Sequence, residues 1–217
     1  MDIAWGLGFV ILSWVFYIFM GMAPMLFLIL ITLHQLRLSG YIFWRVINKP
    51  EDKRYAGWRK SWGKTFLWRS FLQIFILQGL IMGLIVVGFF WEIPNQTPLW
   101  MQIVGSILWI YGMLYEVIGD AQLARFKANP KNKGSVLQNG LWARTRHPNY
   151  WGECVIWWSY WILLGMSPFA LLGPVLMTFL LTRVSGVRMT ESSFQGNETY
   201  IEYQRNVPSF YPSKHLF

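Results

Sequence analysis

Two arginines, a histidine, an asparagine, a tyrosine and a glutamate fall within the short run Arg144-Thr-Arg-His-Pro-Asn-Tyr-Trp-Gly-Glu153. Arg144 and Arg146 are suited to clamp a phosphate or carboxylate, because a guanidinium fork meets two oxygens at once. Pro148 fits the first turn of a helix, so Asn149, Tyr150 and Glu153 fall on its opening turns. Backbone N–H groups there lack helical partners and favour an anion. A lone interfacial histidine is ordinarily structural, but among these neighbours His147 reads as a site residue able to move a proton. Glu153 inside the first turns of an apolar helix requires a partner: Arg146, Tyr150 or a bound ligand.

Two further polar clusters have the same character. Glu116 and Asp120 stand four residues apart and share a helix face, followed by Gln122, Arg125, Lys127 and Asn129 before Pro130. The plain alternative is a helix whose last turn carries cations to match its dipole, or simple ion pairs. Carboxylates beside a membrane span are costly, however, and function is the default reading. The remaining cluster runs from Asn48 through Glu51, Asp52 and Tyr55 to Trp58, Arg59, Lys60 and Trp62. It reads either as a basic loop attracted to anionic headgroups or as part of a site.

The elements that must position these residues are long apolar runs. Six are expected, at roughly Trp5–Met20, Met25–Val46, Thr65–Trp91, Leu99–Gly119, Tyr150–Gly165 and Phe169–Val184. Gly21-Met-Ala-Pro24 and Gly165-Met-Ser-Pro168 punctuate two tight connections. The first run is not expected to be a cleaved leader, since Asp2 stands where a basic residue would. Residues 1–217 are expected to form a single integral membrane domain.

Composition agrees with this reading. Only 13% of the 217 residues are charged and 54% are hydrophobic, against about 25% charged in a soluble domain. The fold class expected is therefore all-α, a polytopic transmembrane helix bundle with cytoplasmic loops and a C-terminal amphipathic helix. The net charge of +9 does not point to nucleic acid, because the charge is confined to particular loops. Nine Lys and Arg lie between Arg37 and Arg69, six between Arg125 and Arg146, and four from Arg183 onward. With six spans, the positive-inside rule puts these loops and both termini in the cytoplasm. Trp58, Trp62, Trp91 and Trp100 fit the interfacial aromatic belts. The single cysteine, Cys154, excludes an internal disulfide and a multi-cysteine metal site, and no metal is expected.

Arg146-His-Pro-Asn-Tyr-Trp-Gly-Glu153 resembles the R-H-P-N-Y-x-G-[ED] signature of a superfamily of polytopic membrane enzymes. It holds the steroid 5α-reductases, the sterol reductases and the isoprenylcysteine carboxyl methyltransferases. The similarity is closest to a bacterial membrane family related to the steroid 5α-reductase C-terminal domain. Glu51-Asp52-Lys53-Arg54-Tyr55, the run from Arg59 to Phe66, and Gln78 resemble further motifs of that family. So do Asp120 through Gly134, then Ser185-Gly186, Glu191, and Gly196 through Tyr203. The resemblance covers about residues 40–212.

The resemblance implies an NADPH-dependent reductase that passes hydride to the C=C bond of a hydrophobic enone, a steroid- or isoprenoid-like lipid entering from the bilayer. The alternative is an S-adenosylmethionine-dependent methyltransferase, whose members also carry a glutamate at the place of Glu191. Asn149 and the Gln122–Pro130 run are closer to the reductase pattern. By this reading Arg125, Lys127, Arg144 and Arg146 hold phosphates, with Asp120, Gln122, Asn129, Glu191, Tyr200 and Tyr203 completing the cofactor site. Asn149 and Glu153 meet the nicotinamide, and Tyr55, Tyr150 or protonated His147 polarises the substrate carbonyl. No Gly-x-Gly-x-x-Gly is present, so a Rossmann domain is excluded as the holder. The bacterial inner membrane is the expected location.

Overall fold

The computed structural model describes residues 2–21, 23–47, 53–91, 94 and 96–213. Among the described residues every regular element is helical, as the apolar runs require. The chain divides into two compact units, 1–97 with 167–170, and 98–166 with 171–217.

The first unit opens with helices α1 (Asp2–Met20) and α2 (Met25–Val46), joined by the expected tight connection. Polar groups inside these apolar helices find partners across the pair. The Trp14 indole N–H donates to Thr32 Oγ1 at 3.0 Å, and Ser39 Oγ donates to the Ile3 carbonyl at 3.1 Å. Away from water such interhelical bonds hold spans together. Phe9, Phe27, Ile85 and Phe89 are fully buried, with Phe27 edge-on to Phe89 at 5.4 Å.

The third apolar run is part of a longer helical segment: α3 (Lys53–Trp62), a 3-10 turn (Gly63–Thr65), α4 (Phe66–Ser70), a π turn (Phe71–Ile76) and α5 (Leu77–Phe90). The basic cluster before the span is thus a helix from Lys53, not a loop. Gln73 lies in the π turn and is exposed, while Gln78 is half-buried.

The second unit is built on α6 (Leu99–Ala128) and α7 (Pro148–Leu163). Thirty residues of α6 extend about 45 Å, well beyond a hydrocarbon layer of about 30 Å. Its last turns, from Gln122 to Lys127, continue the helix beyond the apolar run. The helix stops at Asn129, whose Oδ1 accepts the Lys131 backbone N–H at 3.1 Å ahead of a 3-10 turn (Pro130–Asn132). After α7 come α8 (Leu172–Phe179), a π turn (Leu180–Val184), α9 (Val187–Ser192) and the amphipathic α10 (Glu198–Asn206).

Among the described residues four helices are long and apolar enough to cross a membrane: Ile3–Met20, Met25–Val46, Ala56–Phe90 and Leu99–Ala128. The six-span expectation is met only that far. The 16 residues of α7 reach about 24 Å and end ahead of Gly165 and Met166, which leave the helical region at φ +73° and +59°, while α8 is shorter and runs into the π turn.

Helices α6 and α7 approach closely because glycines face the contact. Gly105, Gly112 and Gly119 recur every seven residues on one face of α6. A Cβ on Gly112 would stand 2.6 Å from the Gly152 carbonyl oxygen, and one on Gly152 would stand 2.6 Å from the Glu116 nitrogen. Both obstacles are backbone, which cannot step aside. Gly152→Ala should therefore destabilise the solubilised protein by about 1–3 kcal/mol, the range for overpacking. Gly83→Ala, with nothing within 4 Å of its Cβ, is the control. Equal melting temperatures for the two variants would contradict this packing.

Candidate active site

Pro148 at the first helical position makes His147 the N-cap of α7, with φ −139° and ψ 63°. The residues before it are fixed from two sides. On the α6 side, Gln122 Oε1 accepts the Leu141 N–H at 3.0 Å, and the Trp142 indole donates to the Gly119 carbonyl at 3.2 Å. Gly140, at φ +64°, lies against the Gln122 amide so closely that a Cβ there would displace that side chain.

On the tail side, Arg146 N–H donates to the Pro208 carbonyl at 3.0 Å and Ser213 N–H to the Arg144 carbonyl at 2.9 Å. Thr145 Oγ1 reaches the Phe210 carbonyl at 3.0 Å. The Tyr203 hydroxyl donates to the Trp142 carbonyl.

Glu191 is the hub of this arrangement. Its Oε1 accepts Arg146 Nε at 2.9 Å, Arg146 Nη2 at 2.8 Å and His147 Nε2 at 3.1 Å. Its Oε2 accepts Gln204 Nε2 at 3.1 Å. Arg146 Nη1 donates to the Gln204 carbonyl at 3.1 Å and to that of Val207. A carboxylate can only accept, so His147 carries its proton on Nε2. The His147 ring lies parallel to Tyr150, 5.4 Å away, and the Tyr150 hydroxyl pairs with Thr190 Oγ1 at 3.3 Å.

Burial alone would raise the Glu191 carboxyl, but hydrogen bonds from His147 and Arg146, with the Arg146 charge, hold it below its ordinary value. Burial pushes the Tyr200 phenol up to about 12, with the Glu191 charge adding to it, so Tyr200 keeps its proton at neutral pH. The depressed Glu191 value has a signed consequence. The docked tail binds fewer protons than the free tail, so its docking is at full strength above the ordinary carboxylate range. It weakens as pH falls through the lower, folded value, that is, below 4.5. Protection of α10 from hydrogen exchange, taken relative to the free-chain rate at each pH, should fall over that interval, and Glu191→Gln should flatten the dependence. A wild-type profile as flat as the variant's would contradict the assignment.

Beside this network is a cavity of about 550 Å³, within the range of about 300–1,000 Å³ common for small-molecule sites. Leu123, Phe126, Lys127 and Asn129 line it from the end of α6, with Asn132 and Lys133 from the following loop. Arg146, His147 and Thr190 line it further along, with Phe194, Tyr200 and Tyr203 from the tail. Phe194 stacks on Tyr200 at 4.3 Å. Asn129 uses its carbonyl on Lys131, which leaves its NH₂ as the donor.

The cavity thus gathers Lys127, Asn129, Arg146, His147, Tyr200 and Tyr203 from the expected set, with Glu191 bonded to two of its wall residues. It does not gather the rest. Arg125 and Lys127 are two positions apart, about 200° around a helix, and Lys127 shares the cavity face with Leu123 and Phe126. Arg144 is exposed and off the wall, whereas Arg146 is 8% exposed and engaged by Glu191 and the tail. Arg146 is therefore chiefly a staple for the tail, not the outstretched phosphate clamp expected of it.

Asn149 is also off the wall, its NH₂ donating to Asp120 Oδ1 at 3.2 Å and its buried Oδ1 lacking a partner. Tyr150 and Glu153 do not line the cavity, and Gln122 supports Leu141 instead. Tyr55 belongs to α3 in the first unit, and its side chain lies outside the described residues, as do Glu51 and Asp52. Lys133, Thr190 and Phe194 are wall residues beyond the expected set. Lys133 had a signal, in Asn132-Lys133-Gly134 within the Asp120–Gly134 run. Among the described residues no group of His, Cys, Asp and Glu could hold a metal ion.

No curated protein and no solved structure matches the chain. A family model described as "Protein of unknown function (DUF1295)" matches residues 1–207, a longer stretch than the motif resemblance alone. The chain belongs to that family.

Proposed function

We propose that this protein is a membrane-embedded reductase that holds NADPH in the cavity at the end of α6 and reduces a hydrophobic enone. The observation that carries the reading is the pairing of Lys127 and Lys133 on one wall with the stacked Phe194 and Tyr200 on another. NADPH has phosphates at several points and flat rings, and this donor set suits both. Lys127, Lys133 and the Asn129 NH₂ hold phosphate as charge-assisted or direct partners, while the aromatic wall accepts a planar base. S-adenosylmethionine carries a sulfonium and an ammonium against one carboxylate, and this net positive charge suits a basic lining less well than phosphates do. The carboxylate that would balance those charges, Glu191, is taken by Arg146, His147 and Gln204.

When bound, NADPH supplies the hydride for the C=C bond. The chain must then deliver one proton to the neighbouring carbon. His147 lines the cavity with its ring fixed by Glu191 and Tyr150, and serves as that acid when doubly protonated. Tyr55 is a second donor on the resemblance alone. The concentration of Lys and Arg in alternate loops supports a cavity at the cytoplasmic face of a bacterial inner membrane, with both termini there. The enone enters from the lipid.

Titration of the detergent-solubilised protein tests the reading, with NADPH and S-adenosylmethionine offered separately. NADPH should bind, with its absorbance falling on addition of an enone that the enzyme accepts. Binding of S-adenosylmethionine without NADPH binding would overturn the proposal in favour of a methyltransferase.

A further inference from the structure

The segment from Lys53 to Trp91 holds six Lys and Arg and no Asp or Glu. Its first ten residues form α3, and its end is the apolar helix that continues to Phe90. Between them Gly63 sits at φ +47°, in the left-handed region that breaks a helix axis. The helical segment is thus interrupted at Gly63, between the basic α3 and the apolar run that follows.

The side chains around the break are of two kinds. Trp58 and Trp62, four apart, stack at 5.5 Å with their planes 3° from parallel. The Arg59 guanidinium stands 4.5 Å above the Phe66 ring, tying a cation to the start of the span. Lys60 and Lys64 are exposed, and beyond them Leu67 and Trp68 are 80% and 65% exposed. Basic residues beside stacked indoles, followed at once by apolar surface, match the layering of a bilayer boundary.

We infer that α3 and the Gly63 turn form a binding surface for anionic phospholipid headgroups, with Arg59, Lys60 and Lys64 meeting phosphate and the tryptophans lying at the headgroup level. The cation–π contact holds Arg59 beside Phe66, where the apolar run begins. Continuity with a span favours lipid over a soluble polyanion.

The test uses the full chain in a neutral detergent, offered phosphatidylglycerol and phosphatidylcholine together, with bound lipid weighed by native mass spectrometry. Wild type should retain phosphatidylglycerol at least about tenfold over phosphatidylcholine. Lys60→Glu with Lys64→Glu should bring the ratio near one. Lys131→Glu with Arg205→Glu, the same charge change at exposed positions elsewhere, should leave it high. Equal retention of the two lipids by wild type would overturn the inference, as would equal effects of the two double variants. Displacement of the anionic lipid by a single-stranded RNA oligonucleotide at equal concentration would overturn it too, assigning the surface to nucleic acid.

Discussion

Arg146→Ala should destabilise the C-terminal part of the protein by about 3 kcal/mol, the low end for removing one partner of a buried ion pair. The low end applies because the Glu191 side chain retains 19% exposure. The loss has three sources: the fork on Glu191, the two tail carbonyls that Nη1 satisfies, and the burial of Glu191 without its cation. Arg146→Lys should recover only part of it, since an ammonium cannot engage a carboxylate through a rigid fork. Hydrogen exchange across 198–207 is the readout, and protection there should collapse while α6 and α7 stay protected. Arg144→Ala, at an exposed guanidinium, should stay within about 0.5 kcal/mol of wild type. Undiminished protection of α10 in Arg146→Ala would show that the tail docks by other means.

Lys127→Glu combined with Lys133→Glu should lower NADPH affinity at least about a hundredfold. Each lysine lost removes a bond to a charged group worth about 1.5–3 kcal/mol, so two remove about 3 kcal/mol or more. Both side chains are exposed, so the fold should be unaffected by circular dichroism. Arg125→Glu reverses a charge on the same helix, off the cavity face. It should change affinity less than about threefold if contact, rather than a diffuse positive field, holds the phosphates. Similar losses in Arg125→Glu and in either single lysine reversal would remove the lysines from direct contact.

Much of this could be read from sequence because local rules and the final fold agree. The apolar runs gave the helices, Asn129-Pro130 gave the end of α6, and Pro148 gave the start of α7. Of the expected residues, Lys127, Asn129 and His147, each close to a helix end, line the cavity. The expected residues that stand off the cavity or are bonded within the chain are those whose partner lies far along it. Arg146 and Arg144 look equivalent in sequence, and only Glu191, 45 residues on, distinguishes the buried one from the exposed one. Arg125 and Lys127 look like one basic pair until helical rotation separates them. The resemblance sets Asn149 and Glu153 against a bound nicotinamide, but neither lines the cavity. For Asn149 the partner is Asp120 on the neighbouring helix. The apolar content of 150–184 suggested two full spans, but length depends on where the backbone leaves the helical region. Gly165 announced that point, and Met166 did not.

The mass of the nucleotide that copurifies with the full chain, extracted from membranes in mild detergent and released by denaturation, tests the central claim most directly. NADPH or its oxidised form should be recovered from wild type and lost from the Lys127→Glu, Lys133→Glu double variant. Recovery of S-adenosylmethionine or its demethylated product, retained equally by both proteins, would contradict the reductase assignment and the phosphate role of the two lysines together.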